Sequence, residues 1–464
     1  MTIALIGSIL RPWVGMIAFY GLVFLNMEWN WRWVIAANSG LQQKVAICII
    51  VGFVLSAFPG QRIRGVPLAS SLCFLGFLGL AYVSATTTID PYLTDFYMKY
   101  IWKVVIMALL AIRLVDDDRK LMTLMWFIAL GQGYNAYQIN DDYYNVGYCR
   151  FIQGTGWGWI GSNQISNLSL CAVAICCGLM FFSDRMWKKA LAAILLILNA
   201  HVVLIMESRG CMLGMILFGL LTLIFMPRNS QTMLLAGLAG IGVALLVGPS
   251  VVEEFSTIFV KGEELDSSAS SRFDLWRAGW AITLDNFLLG VGPYAGQALV
   301  PQYLAVGMGL VEYLEIRNKG LHNLFFEVST GCGFPAAVLY VSFFLLPWIS
   351  ATLIVSRRKS FQELTNSQKA ALFTSVTGIP SFWVCNMFSA GSLLEGSYAL
   401  VVIANAAVLI HQNRALSYLN ESRAIRKRSL PVARNPQGSF LVGQVRGQTS
   451  QATNQQYQVS GRRS

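Results

Sequence analysis

Charge is what this chain has least of. Lysine, arginine, aspartate and glutamate make up 12% of its 464 residues, whereas 55% are hydrophobic. Soluble domains carry roughly 25% charged residues, so this chain has too little charge to face water on all sides. Histidine is scarcer still, at three residues. The nine cysteines are scattered, mostly inside apolar runs, and form no Cys-x-x-Cys pair. That pattern indicates neither a disulfide framework nor a zinc site. No internal repeat is evident, which weighs against a transporter built from two related halves. The first apolar run has no small-residue cleavage site and many more runs follow it, so it reads as a span and not as a removable signal peptide.

Long apolar runs are abundant. Stretches such as KVAICIIVGFVLSAF and MLGMILFGLLTLIFM approach the ~20 apolar residues that cross a bilayer. The expected fold is therefore an all-α, polytopic membrane domain over residues 1–411. Twelve spans are predicted, at 4–25, 43–59, 66–84, 99–115, 121–137, 165–182, 189–206, 210–226, 232–248, 333–355, 368–388 and 393–411. Basic residues alternate with them. One set of loops holds Arg62 and Arg64; Arg113, Arg119 and Lys120; Arg185, Lys188 and Lys189; Arg228; and Arg357, Arg358, Lys359 and Lys369. The short loops of the other set are poor in lysine and arginine. By the positive-inside rule the first set is cytoplasmic, as are both termini. Nine of the 34 Lys and Arg residues follow residue 411, in a Gln-, Ser- and Arg-rich tail over 412–464 that is expected to be disordered. The net charge of +11 thus reads as a topology signal with affinity for anionic lipid, and not as a nucleic-acid surface.

Three segments then face outward together: 138–164, the turn at Glu207–Gly210, and a long loop over 249–332. In the loop, SSRFDLWRAGWAITL predicts an amphipathic helix. Ser271 and Asp274 have capping-box-like spacing, Phe273, Trp276, Trp280 and Leu284 share one face, and Arg272 and Arg277 flank it. Such a helix is expected to lie in the membrane interface with both guanidinium groups at headgroup level. Arg272 falls in its expected first turn, where the helix dipole disfavours a cation unless an anion is brought to it. Arg209, in ESRGCMLG, is held at the outer boundary by a turn of a few residues; Arg is the side chain best shaped for bidentate phosphate binding. Each arginine, read alone, also suits a lipid anchor. His322 is the one histidine placed outside, followed by Asn323 and Glu327, and imidazole is the group most easily tuned as a general base near neutral pH. His201 falls within a span, where a hydrogen-bonded structural role is expected.

Together these pieces resemble a known family. Ser-Arg-Gly opening a span, the Arg-x-x-x-Trp of SRFDLWRAGW, DNFLLGVGPYAG and HNLFFEVSTGCGFPAAVLY stand in the order of the O-antigen ligase and polymerase superfamily of bacterial membrane glycosyltransferases, over roughly residues 160–345. The amino-terminal third, with LRPWVGMIAFYGLVFLNMEWNWRW and DPYLTDFYMKYIWKVVIMALL, is similar to the O-glycosylation ligases that accompany exosortase systems, in which a lysine matching Lys103 recurs. Asn163 matches an asparagine at the entry to a span, although Ser162 stands where the family usually has a second asparagine.

The resemblance implies a multi-pass protein of the bacterial plasma membrane. It would take a glycan from undecaprenyl diphosphate on the outer face and pass it, with inversion, to an acceptor hydroxyl on lipid A core, protein or another glycan. Arg209 and Arg272 would hold the diphosphate and His322 would take the acceptor proton. Arg277, Lys103, Asn163, Asn323 and Glu327 would line the substrate. No cofactor is expected, and a metal-free mechanism is favoured because the acidic run Asp116–Asp118 falls on the cytoplasmic side. Two alternatives stay open: a polymerase of the same fold, and a transporter or flippase of lipid-linked glycans.

Overall fold

The computed structural model describes residues 2–35, 39–151, 161–246, 267–304, 320–357, 361–389 and 391–429. Its described residues are all-α. The order is α1 (Thr2–Leu10), α2 (Pro12–Leu25), α3 (Met27–Asn30), α4 (Leu41–Leu55), α5 (Gly65–Ala85), α6 (Pro91–Leu114), α7 (Asp118–Val146), α8 (Ser162–Phe182), α9 (Met186–Ile205), α10 (Arg209–Phe225) and α11 (Ser230–Leu246). There follow α12 (Ser267–Asp285), a 3₁₀ turn at Ala295–Ala298, α13 (Val300–Leu304), α14 (Leu324–Cys332), α15 (Phe334–Ser356), α16 (Asn366–Asn386), a second 3₁₀ turn at Glu395–Ser397, and α17 (Tyr398–Ser429). Each of the twelve predicted apolar segments is occupied by helix. Among the described residues, five helical segments are long and apolar enough to cross a membrane: Gly65–Ala85, Ser162–Phe182, Met186–Ile205, Phe334–Ser356 and Glu395–Ser417.

Three expectations change. The segment 4–25 is two helices, because Pro12 cannot continue the helix of Thr2–Leu10 and opens a new one. The helix expected to end at 137 runs on to Val146, where Gly147 takes the left-handed conformation that closes it. The tail expected to be disordered from 412 is helical to Ser429; residues 430–464 lie outside the described residues. The chain divides into two compact units, Met1–Arg414 and Ala415–Ser464; in the second, residues 415–429 are helical.

In the first unit α8 is the central helix. It is buried throughout from Ile165 to Phe182, with polar Ser166, Asn167 and Ser169 near its start and an apolar run from Leu170 onward, and it packs on α7, α9 and α16. The helix α10 lies along α16, α15 along α5, and α2 between α4 and α7. Small residues set the closest approach: a side chain on Gly214 of α10 would stand 2.7 Å from the Ser381 carbonyl oxygen of α16.

Loop contacts define two ends of this unit. At one, Arg113 donates to the carbonyls of Pro59 (3.1 Å) and Phe58 (2.6 Å), Gln61 bonds both Asp116 and Asn413, and Arg414 pairs with Asp118. At the other, the turn before α6 meets the Gly-rich turn after α12 (Ile89 N–H to the Val291 carbonyl, 3.0 Å), and Gln42 at the start of α4 bonds Glu395.

Candidate functional site

The second end is organised around the last turn of α16 and the approach to α17, residues 385–389 and 391–397. Three motif segments meet its beginning. The first residues of α10 close on it so tightly that a side chain on Gly210 would stand 2.7 Å from Phe388 Cβ. From α12, the Trp276 ring lies 5.4 Å from the Phe388 ring. From the start of α14, the Asn323 amide donates to the Met387 carbonyl at 3.2 Å. Arg209 precedes Gly210, Arg272 lies one turn before Trp276, and His322 precedes Asn323. The sequence positions singled out for anion binding and proton transfer are therefore carried by backbone segments that converge on four residues, Cys385–Phe388.

Arg209 is the first residue of α10 and half-buried. Ser208 stands at the N-cap position, and its hydroxyl donates to Asn163 Oδ1 at 2.8 Å, which ties the entry of α8 to the Arg209 turn. Cys211 is joined to Cys385 in a disulfide, with Cα atoms 4.5 Å apart. This corrects the reading of the cysteines as lacking any framework: the pair is separated by 174 residues, so no spacing motif announces it.

Arg272 is half-buried, but α12 begins at Ser267, so Arg272 lies in the second turn and the spacing of Ser271 and Asp274 does not mark the helix start. The argument that the dipole disfavours Arg272 loses its footing there, because the effect fades beyond the first turn. Arg277 is highly exposed and 3.4 Å from Asp274. The opposite face of α12, with Leu275, Ala278 and Ile282, is buried, and Thr283 shares a hydroxyl bond of 2.9 Å with Ser329 of α14. Phe273, Trp280 and Leu284 of the predicted stripe are left exposed, continued by Phe287 and Leu288.

Asn323 caps α14, its Oδ1 accepting from the Phe325 N–H at 2.9 Å. His322, half-buried, has φ +46°. Glu207 (φ +53°), beside the Arg209 turn, and Tyr294 (φ +66°), in GVGPYAG, share this left-handed conformation. Non-glycine residues pay for that backbone, and such strain gathers at functional sites. GVGPYAG and TGCG lock together: Val291 and Gly292 N–H bond the Thr330 and Gly331 carbonyls at 3.0 Å. Gly290 and Gly333 carry the positive φ values (+67° and +88°) that this crossing requires.

Glu327 is buried. The Ser392 hydroxyl donates to its Oε1, while among the described residues no group bonds Oε2. Burial pushes its carboxyl up to about 7, against a smaller lowering by Ser392. Lys103 lies apart, on α6, its Nζ 5.4 Å from the Tyr100 ring and in electrostatic interaction with Glu395. His201 bonds Asn140 through Nδ1 and lies against the Tyr143 and Tyr144 rings, the structural role expected of it. Asp142 is paired with Arg150.

Four participants were missed in the sequence: Ser392, Glu395, Tyr294 and the Cys211–Cys385 pair. Glu395 was findable as a carboxylate opening an apolar run. Ser392 carries no local signal, since its partner is 65 residues away.

No curated protein matches the chain. Residues 191–341 match the O-antigen ligase family, a segment that contains Arg209, Arg272, His322 and Glu327. That segment is 151 of the 464 residues, and the match supports a place for it in the O-antigen ligase superfamily.

Proposed function

We propose that this protein is a membrane glycosyltransferase that moves a glycan from undecaprenyl diphosphate to an acceptor hydroxyl at the outer face of the plasma membrane. The observation that carries the reading is the convergence of the Arg209, Trp276 and Asn323 segments on Cys385–Phe388. The exposed stripe of Phe273, Trp280, Leu284, Phe287 and Leu288 on and after α12 supports it, because an interfacial helix would hold Arg272 at the level of lipid phosphates.

In this reading Arg209 and Arg272 grip the diphosphate. His322 takes the proton of the acceptor hydroxyl as its oxygen attacks the anomeric carbon from the side opposite the leaving group. The new carbon–oxygen bond forms, the bond to the phosphate oxygen breaks, and its electron pair departs on the lipid diphosphate. That growing negative charge is what the guanidinium groups stabilise. Asn323 acts by capping α14 and so fixing the backbone that presents His322. Asn163 acts through Ser208 on the Arg209 turn. Arg277, exposed near the headgroup level, adds positive potential, and Lys103 shapes the region of Glu395. The Asp118 end then faces the cytoplasm, with both termini. Ligase and polymerase share this chemistry and differ in the acceptor.

The test is transfer of a lipid-linked glycan by purified protein in bilayers. His322→Ala should lower turnover about 10²–10⁴-fold, the usual share of a general base, with donor binding retained. Unchanged turnover removes His322 from that role.

A further inference from the structure

The pocket beside His322 supports an inference that rests on the proposed function and sharpens it. Glu327 is 8% exposed, and its Oε2 is buried without a hydrogen-bond partner. Native structures seldom leave a buried polar atom so, and such an atom at a pocket wall points to a ligand. Glu327 lines a small recess, with room for about one water-sized group, together with Tyr294, Gln297, Gly320, Leu321 and Thr330. Leu321 is the neighbour of His322, so the pocket adjoins the reacting position assigned above.

The lining decides what class of group fits. It contains one carboxyl and no cation, so it repels phosphate. The Thr330 hydroxyl is committed to the Phe326 carbonyl at 2.7 Å, and Glu327 Oε1 to Ser392. Left for a guest are Glu327 Oε2, the Tyr294 hydroxyl and the half-buried Gln297 amide. Tyr294 is held by its left-handed backbone and by stacking on Tyr97, with ring centroids 5.7 Å apart. Burial and the Glu327 carboxylate push its hydroxyl up to about 12, so it stays a neutral donor. A carboxyl, a primary amide and a phenol around a small space form a donor and acceptor set for hydroxyl groups.

We infer that this recess takes one hydroxyl of the transferred sugar, its O–H donating to Glu327 Oε2 while its oxygen accepts from the Gln297 amide or the Tyr294 hydroxyl. The pocket thereby determines which sugar is accepted and sets the anomeric carbon beside His322. Glu327 binds substrate here and takes no part in bond making.

The experiment measures binding to the full chain in nanodiscs. The two probes are the lipid-linked glycan extracted from cells that make this protein, and undecaprenyl diphosphate freed of its glycan. Wild type should bind the glycan-bearing lipid more tightly than the bare one. Glu327→Gln, which keeps side-chain volume, and Gln297→Ala should each cut that difference by about tenfold, as expected for loss of a hydrogen bond to a buried charged or polar group. Affinity for bare undecaprenyl diphosphate should not change in either variant, whereas a merely structural role would shift both probes together. A full glycan increment in both variants overturns the pocket while leaving the arginine clamp intact. Failure of wild type to bind the bare lipid overturns the proposed function, and this inference with it.

Discussion

At one end of the helical unit, Asp116 and Asp118 meet Lys120 and Arg414; at the other, the buried carboxyl of Glu327 is bonded, among the described residues, by Ser392. Both ends strain their backbone, but differently. Ala57 and Phe58 take positive φ where Arg113 binds the Phe58 carbonyl, so the charge serves the turn. Glu207, Tyr294 and His322 take it beside an arginine turn, a pocket and a helix cap. An end whose charges are matched can only be held together by them. Each end keeps one buried carboxyl oxygen without a hydrogen-bond partner, Asp118 Oδ1 and Glu327 Oε2, but Asp118 is paired with Arg414, whereas among the described residues no cation pairs with Glu327, which leaves it bonding capacity for something that arrives. The difference suits architecture at the Asp118 end and, at the Arg209 end, the chemistry proposed above.

The largest effect that sharpens this contrast is the pH dependence of stability. Glu327 has its carboxyl raised to about 7 by burial. A raised acid binds its proton more tightly in the folded state, so its contribution is complete below the unfolded value of ~4.3 and is lost as pH rises through about 7. Glu327→Gln cannot ionise. Thermal unfolding in detergent should show the variant gaining on wild type between pH 5 and 8, by at most about 3 kcal/mol. A difference that does not vary with pH would show that Glu327 is not a neutral buried acid.

A smaller effect is expected at the matched end. Arg414 pairs with Asp118 and bonds Gln368 at 2.8 Å, yet it is 41% exposed and screened by water. Arg414→Ala should cost under about 1 kcal/mol and leave transfer unchanged. Loss of transfer in this variant, with stability intact, would break the division of labour between the two ends.

Much of the fold was legible. Apolar runs gave the helices because lipid-length hydrophobic segments have few other conformations open to them. Gly-Val-Gly-Pro-Tyr-Ala-Gly and Thr-Gly-Cys-Gly were legible as motifs, and their glycines prove to be where two backbones cross. What escaped depends on distance along the chain. Residues 385–389 and 391–397 read in the sequence as the ends of two spans and a short link between them, and their weight comes from Asn323, Glu327 and Gln42, which no local pattern joins to them. Arg272 was placed at a helix start because a serine and an aspartate had capping spacing, but the helix begins four residues earlier than that serine. Lys103 reads in the sequence as a cation that matches a recurring lysine of the resembled ligases, whereas the group it interacts with, Glu395, lies far along the chain.

The central claim, that Arg209 and Arg272 act on one diphosphate, is tested most directly by a double-mutant cycle on glycan transfer. Lysine keeps the charge and loses the planar fork, so Arg209→Lys and Arg272→Lys should each lower kcat/KM by about 10²–10³-fold, the usual effect of removing one transition-state donor. If both grip the same group, the double variant should fall short of the product of the single effects by at least about tenfold, a coupling of ~1.4 kcal/mol. Wild-type rates in either single variant, or effects that simply multiply, would contradict the clamp.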